Sequence, residues 1–139
     1  MKVKQLSVFL ENKAGTMAEL SHLLADKGIN LRALCVADTQ DFGIVRLITT
    51  EPEQAALEVR EAGYICTITE VLAVAVDDTA GGMNGILVAL ADANLSIEYT
   101  YASLSPKAGK AFLIVRVKDN DAAEAALTAA GLVSADELF

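Results

Sequence analysis

A chain of 139 residues with a formal charge of −8 and 53% apolar residues can build one ordinary domain or two small ones. It holds no apolar run of about 18 residues, so no membrane span is expected. Its eleven Lys and Arg are scattered and it has no Trp. It therefore lacks both a basic surface for phosphates and an aromatic platform for bases, and nucleic acid is excluded as a partner.

The chain opens Met1-Lys2-Val3-Lys4-Gln5 and runs straight into a strand, so no signal peptide is expected and the reading is cytoplasmic. Residues 3–10 alternate: Leu6, Val8 and Leu10 share one face, with Gln5, Ser7 and Phe9 on the other, which predicts a half-buried strand. From Gly15 to Lys27 the period becomes helical, with Met17, Leu20 and Leu24 in a stripe and Glu19, His22 and Asp26 off it; Gly28 ends it. Residues 29–37 are β-like, Asp38-Thr39-Gln40-Asp41 is a turn, and 43–49 is a strand. Pro52 opens a short helix over 52–62, ended by Gly63, and 64–76 reads as nearly unbroken β. The pattern then predicts a helix at 81–93, strands at 95–103 and 110–118, a helix at 120–130 and a last strand at 132–135. Cys35 and Cys66 both sit in apolar strand patterns and are expected as buried, reduced thiols.

The second set of elements repeats the first. Glu11-Asn12-Lys13-Ala14-Gly15-Thr16-Met17 returns 66 residues later as Asp77-Asp78-Thr79-Ala80-Gly81-Gly82-Met83. Leu6, Val8 and Leu10 return as Leu72, Val74 and Val76, and Gly28-Ile29-Asn30-Leu31 as Asn94-Leu95-Ser96-Ile97. The turn Ser105-Pro106-Lys107-Ala108-Gly109-Lys110 adds four residues, after which Val45-Arg46-Leu47 matches Val115-Arg116-Val117 at an offset of 70. A repeat of this length is a small domain. The expected fold class is α+β: two ferredoxin-like domains, 1–69 and 70–139, each βαββαβ with an antiparallel sheet and its helices on one face.

A strand followed by Glu11-Asn12, Gly15 and Met17 before a helix, then Gly28-Ile29-Asn30-Leu31 entering the second strand, resembles the ACT domain. The whole chain resembles a free-standing tandem ACT protein, with the first half the closer match; the second carries Asp78 and Ser96 where the first has Asn12 and Asn30. The resemblance implies regulatory modules that bind small molecules, most often amino acids, commonly at interfaces between paired domains. It implies no cofactor.

The residues of the first loop suit such a ligand. Gly15 lets the backbone come close, and the free N–H groups of the first helical turn favour a carboxylate, helped by the helix dipole. The Asn12 amide oxygen and the Glu11 carboxylate offer acceptors to an ammonium. Asn30 would close the site, and the resemblance implies ligand contacts at the positions of Asn12, Gly15 and Asn30. The candidate site is thus Glu11, Asn12, Lys13, Ala14, Gly15, Thr16 and Met17 with Asn30 and Leu31. A weaker second site comprises Asp78, Ala80, Gly81, Gly82, Met83 and Ser96, where Asp77 and Asp78 would repel a carboxylate unless the ligand brings a cation. A purely structural account remains beside this one: Asn12 shaping the turn, Thr16 capping the helix, and Gly15 serving tight packing.

Catalysis finds no support. His22 is expected in a solvated pair with Asp26, and no nucleophile accompanies it. HExxH, CxxC and GxxxxGK[ST] are all absent, the acids lack metal-ligand spacing, and the first loop has no Arg to hold phosphate. The expected function is a non-catalytic, amino-acid-binding regulatory protein; the alternative is a regulatory subunit of a biosynthetic enzyme such as acetolactate synthase. Val71, Ala73 and Ala75, with Phe112 and Ile114, make an apolar outward sheet face in the second half. That face is expected to be covered by a second copy in a homodimer, or else by the first domain or the tail from Ala135 to Phe139.

Overall fold

The structure is a computed structural model that describes residues 1–38, 41–104 and 107–135. Thr39 and Gln40 of the first turn, Ser105 and Pro106 of the longer turn, and the tail beyond Ala135 lie outside the described residues.

The elements run β1 (Lys2–Glu11), α1 (Thr16–Asp26), β2 (Leu31–Asp38), β3 (Phe42–Thr49), α2 (Pro52–Glu61), β4 (Ile65–Asp77), α3 (Asn84–Asp92), β5 (Ile97–Leu104), β6 (Lys110–Val117), α4 (Asn120–Ala129) and β7 (Val133–Ser134). They divide into two compact units, one of Lys4–Thr69 and one of Met1–Val3 with the residues from Glu70 onward. The long strand β4 gives its first residues to one unit and its last to the other.

In the first unit the strand order is β2-β3-β1-β4. The register Leu6↔Leu47 and Val8↔Val45 puts these four apolar side chains on one face of the sheet. Leu20 and Leu24 from α1, and Ala55, Ala56 and Val59 from α2, complete that core. Each fully buried Leu or Val here is worth about 1.5–3 kcal/mol relative to exposure. Lys27, just past α1, holds Glu58 of α2 at 2.8 Å and so ties the two helices together.

The second unit repeats the plan as β7-β4-β6-β5. Leu72↔Val115 and Val74↔Leu113 face Ile86 and Leu90 of α3 and Ala123 and Leu127 of α4. Asp119 caps α4 by accepting from the Ala122 N–H at 2.9 Å. Each unit is the expected ferredoxin-like βαββαβ fold.

Four local expectations change. Gln5 and Ser7 are buried rather than solvated, and the Gln5 amide donates to Ser7 Oγ at 3.2 Å. Alternation shows only that two faces differ in polarity, not which of them water reaches. Val71, Ala73, Phe112 and Ile114, expected on an outward face, are likewise buried and lie outside the helix-side core. Cys35 is half-buried because its strand is an edge of its unit, while Cys66 is buried; both are free thiols, and burial pushes the Cys66 thiol up. Helix α3 begins at Asn84, not 81, for a reason found in the second loop.

Candidate functional site

The first loop carries the chain from β1 to α1. The Asn12 N–H donates to the Asp41 carbonyl at 3.1 Å, which pins the loop to the turn between β2 and β3. The Asn12 side chain is exposed and makes no hydrogen bond to a described residue, so the turn is shaped by backbone and not by the Asn12 amide. The Thr16 hydroxyl donates to the carbonyls of Glu11 and Lys13 at 3.0 and 3.1 Å. It therefore closes the loop instead of capping the helix. The N-cap is Gly15, at φ 92° and ψ −18°, with no side-chain cap. A Cβ there would meet nothing within 4 Å, so Gly15 is needed for its left-handed backbone and not for packing.

The first intrahelical bond runs from the Glu19 N–H to the Gly15 carbonyl at 2.9 Å. Among the described residues, the N–H groups of Met17 and Ala18 have no partner. They are the donors an anion at this helix end would meet. Glu11 is less available than expected, because Lys13 binds its carboxylate; that bond also holds the Lys13 ammonium above its ordinary value. A small cavity of about 80 Å³ opens between this loop and the far ends of β2 and β3, touching Asn12, Thr16, Met17, Asp38 and Gly43. Asp38 and Gly43 were not foreseen; no local pattern links them to residue 12, and only the strand register brings them there.

Asn30 and Leu31 are elsewhere. The Asn30 N–H meets Thr50 Oγ1 at 3.3 Å and its carbonyl accepts from the Thr50 N–H at 3.1 Å, at the end of β3 remote from the loop. Along the eight residues of β2, at about 3.3 Å each, Asn30 lies more than 20 Å from Asn12. One unit cannot bring the two amides onto one ligand. Ser96 is displaced in the same way: it lines a cavity of about 250 Å³ with Glu98, Lys118 and Asp119, away from Gly81.

The second loop differs from the first. Gly81 keeps the left-handed conformation of Gly15, at φ 87°. Two consecutive turns then follow, with Gly82 N–H on the Thr79 carbonyl at 3.0 Å and Asn84 N–H on the Gly81 carbonyl at 2.9 Å, which delays α3 to Asn84. A Cβ on Gly82 would lie 2.2 Å from the Asp77 carbonyl oxygen, so only glycine fits. Ala80, Gly81 and Gly82 border a cavity of about 490 Å³ together with Asp77, Lys110 and Leu132, whereas Asp78, Met83 and Ser96 do not.

His22 pairs with Asp26 at 3.3 Å, with both side chains exposed. Among the described residues no group of three His, Cys, Asp or Glu could hold a metal ion, and no helix is long and apolar enough to cross a membrane.

Two βαββαβ units with matched glycine loops agree with a family model described as the ACT domain pair, which matches residues 1–136. The chain belongs to the ACT domain pair family. ACT domains are regulatory, ligand-binding modules, and this chain carries two of them. Among solved structures, protein BT0572 from Bacteroides thetaiotaomicron is 33% identical, with a TM-score of 0.90 over 99% of this chain and 96% of that one. The regulatory subunit of aspartate kinase from Thermus thermophilus, in its ligand-free form, is 15% identical, with a TM-score of 0.70 over 92% of this ACT pair and 90% of that chain. Its counterpart from Thermus flavus is 14% identical, with a TM-score of 0.65 over 94% of each chain. At these identities the likeness to the two kinase subunits is one of fold. No curated protein matches the chain.

Proposed function

We propose that this ACT domain pair is a non-catalytic, cytoplasmic regulatory protein that binds an α-amino acid at its first loop. The observation that carries the reading is the pair of N–H groups at Met17 and Ala18, which have no partner among the described residues, in the same loop as the exposed Asn12. The N–H pair takes the carboxylate and the Asn12 oxygen takes the ammonium. The loop cavity alone is small, at about 80 Å³, so a second surface must close it.

That surface is a second copy of the chain, joined through β2. As an edge strand of its unit β2 exposes Leu34 by 47% and Val36 by 51%, with Phe42 of β3 exposed by 58% beside it. Two copies of β2 paired antiparallel about Cys35 would set Arg32 of one opposite Asp38 of the other, and Asp38 lines the loop cavity. Asn30 would then reach the ligand from the partner, as the distance within one unit requires.

Calorimetry on mixed variants tests this arrangement. Asn12→Ala and Asn30→Ala should each weaken binding by about tenfold to a hundredfold, yet an equimolar, re-equilibrated mixture should recover about one quarter of the sites at wild-type affinity, since each mixed dimer rebuilds one intact site. A mixture as inactive as its components would refute the shared site.

A second reading, the regulatory subunit of an amino-acid biosynthetic enzyme, is supported by the fold shared with the Thermus aspartate kinase regulatory subunits. Acetolactate synthase is a further enzyme of that type. Purification from native lysate distinguishes the readings: a stoichiometric enzyme partner favours the subunit, and an isolated dimer favours the free-standing sensor.

A further inference from the structure

Of the five asparagines in the chain, Asn84 alone precedes a glycine. The side-chain carbon of an asparagine is open to attack by the backbone nitrogen of the next residue. The reaction is fastest where the amide is uncommitted, the nitrogen is free of a hydrogen bond, and the next residue has no side chain to stand in the way. Asn84 is exposed, and its amide makes no hydrogen bond to a described residue. The Gly85 N–H lies in the first turn of α3, ahead of the bonds that Ile86 and Leu87 make to the Met83 carbonyl, and it has no partner among the described residues. Even an added Cβ on Gly85 would meet nothing within 4 Å, so the chain has room to turn there.

The other four asparagines each fail a condition. The Lys13 N–H after Asn12 is held by the Glu11 carbonyl at 2.9 Å, and the Leu95 N–H after Asn94 by the Leu90 carbonyl at 2.9 Å. Asn120 commits its own amide to the Glu70 carbonyl at 3.0 Å, and Asn30 is followed by the branched side chain of Leu31. Asn84 is also the first residue of α3. Bringing the Gly85 nitrogen onto its Cγ therefore opens only the helix end, where fraying costs little, and leaves Ile86 and Leu90 in the core.

We infer that Asn84 is a deamidation site, a slow one-way charge switch in the second unit. The Gly85 nitrogen loses its proton and bonds to Asn84 Cγ; the side-chain nitrogen takes up that proton and leaves as ammonia. Water then opens the cyclic imide at either carbonyl, breaking one C–N bond and leaving aspartate or isoaspartate. Either product adds a carboxylate to a segment that already holds Asp77 and Asp78. Aspartate at this place is favoured by the positive end of α3, whereas isoaspartate inserts a methylene into the backbone of its first turn. The inference does not depend on the first loop or on any ligand.

Incubating the folded full chain at mildly alkaline pH, and following the peptide that holds residue 84 by mass spectrometry, tests it. Residue 84 should gain the mass difference between an amide and an acid while Asn12, Asn30, Asn94 and Asn120 stay intact. An isoaspartyl methyltransferase should label the isoaspartate fraction at the same residue. Gly85→Ala, whose Cβ the fold admits, should slow the conversion at least about tenfold, a barrier higher by about 1.4 kcal/mol. An intact Asn84, equal conversion at all five asparagines, or conversion only once urea has unfolded the chain would overturn the inference. A Gly85→Ala rate equal to that of the wild type would overturn attack by the Gly85 nitrogen, and the inference with it.

Discussion

Gly82→Ala tests the account of the second loop at its tightest point. The added Cβ would stand 2.2 Å from the Asp77 carbonyl oxygen, with the Asp77 carbonyl carbon and the Thr79 oxygen at 3.3 Å. Ordinary contact begins near 3.4 Å, so the Cβ and the Asp77 oxygen must separate by more than 1 Å. All three neighbours are backbone, and Asp77 is held in register against Lys110, so no side chain can swing aside. The cost should sit at the upper end of overpacking effects, about 3 kcal/mol. With a urea dependence of about 2 kcal/mol per molar, the unfolding midpoint should fall by about 1.5 M. Gly85→Ala is the control, because its Cβ meets nothing within 4 Å and it lies in the first turn of α3. There alanine should stabilise by about 0.5 kcal/mol through helix propensity, raising the midpoint slightly. Urea titrations followed by circular dichroism read both variants. An unchanged midpoint in Gly82→Ala, or equal losses in both, would refute the reasoning.

Three further outcomes follow from named contacts. Asn12→Ala should weaken amino-acid binding by about tenfold to a hundredfold in calorimetry, the loss of about 1.5–3 kcal/mol for a charge-assisted hydrogen bond, with its urea midpoint nearly unchanged. Lys27 holds the Glu58 carboxyl below its ordinary value of 4.5, with Gln54 adding a second bond. Glu58 therefore stabilises the fold above that value, and the contribution disappears as pH falls through its lowered folded-state pKa. Glu58→Gln should flatten the acid limb of a plot of urea midpoint against pH, and an unchanged limb would contradict the pairing. In the opposite limb, the same bond raises Lys27 above 10.5, so its contribution is full below 10.5 and is lost only as pH rises through the raised value. Val36→Glu should convert the proposed dimer to monomer in light scattering at micromolar concentration, and a wild-type monomer or a variant that remains dimeric would remove β2 as the interface.

The fold was legible because each element announces its period. Leu6, Val8 and Leu10 alternate, Leu20 and Leu24 recur at helical spacing, and Gly28 and Gly63 stop their helices in left-handed conformations that side chains resist. What stayed hidden depends on distance through space. Gln5, Ala73 and Ile114 are buried, and alternation alone does not say which of two faces is shielded. The start of α3 depends on two consecutive turns through Gly81 and Gly82, which a Gly-Gly pair permits but does not specify. The first loop was readable as a helix N-terminus with a bare glycine, whereas the remoteness of Asn30 appears only when β2 is laid out along its full length. Lys110 escaped notice as a partner of the second loop because the link between them is the β4–β6 register.

The central claim is that the chain binds a free amino acid, and a thermal-unfolding screen of the wild-type protein against the twenty amino acids tests it most directly. At a concentration of about 100 times its dissociation constant, a ligand of the native state adds about 2.7 kcal/mol, so one amino acid or a few of similar chemistry should raise the midpoint clearly. A midpoint that none of the twenty moves, at concentrations up to several millimolar, would contradict the account.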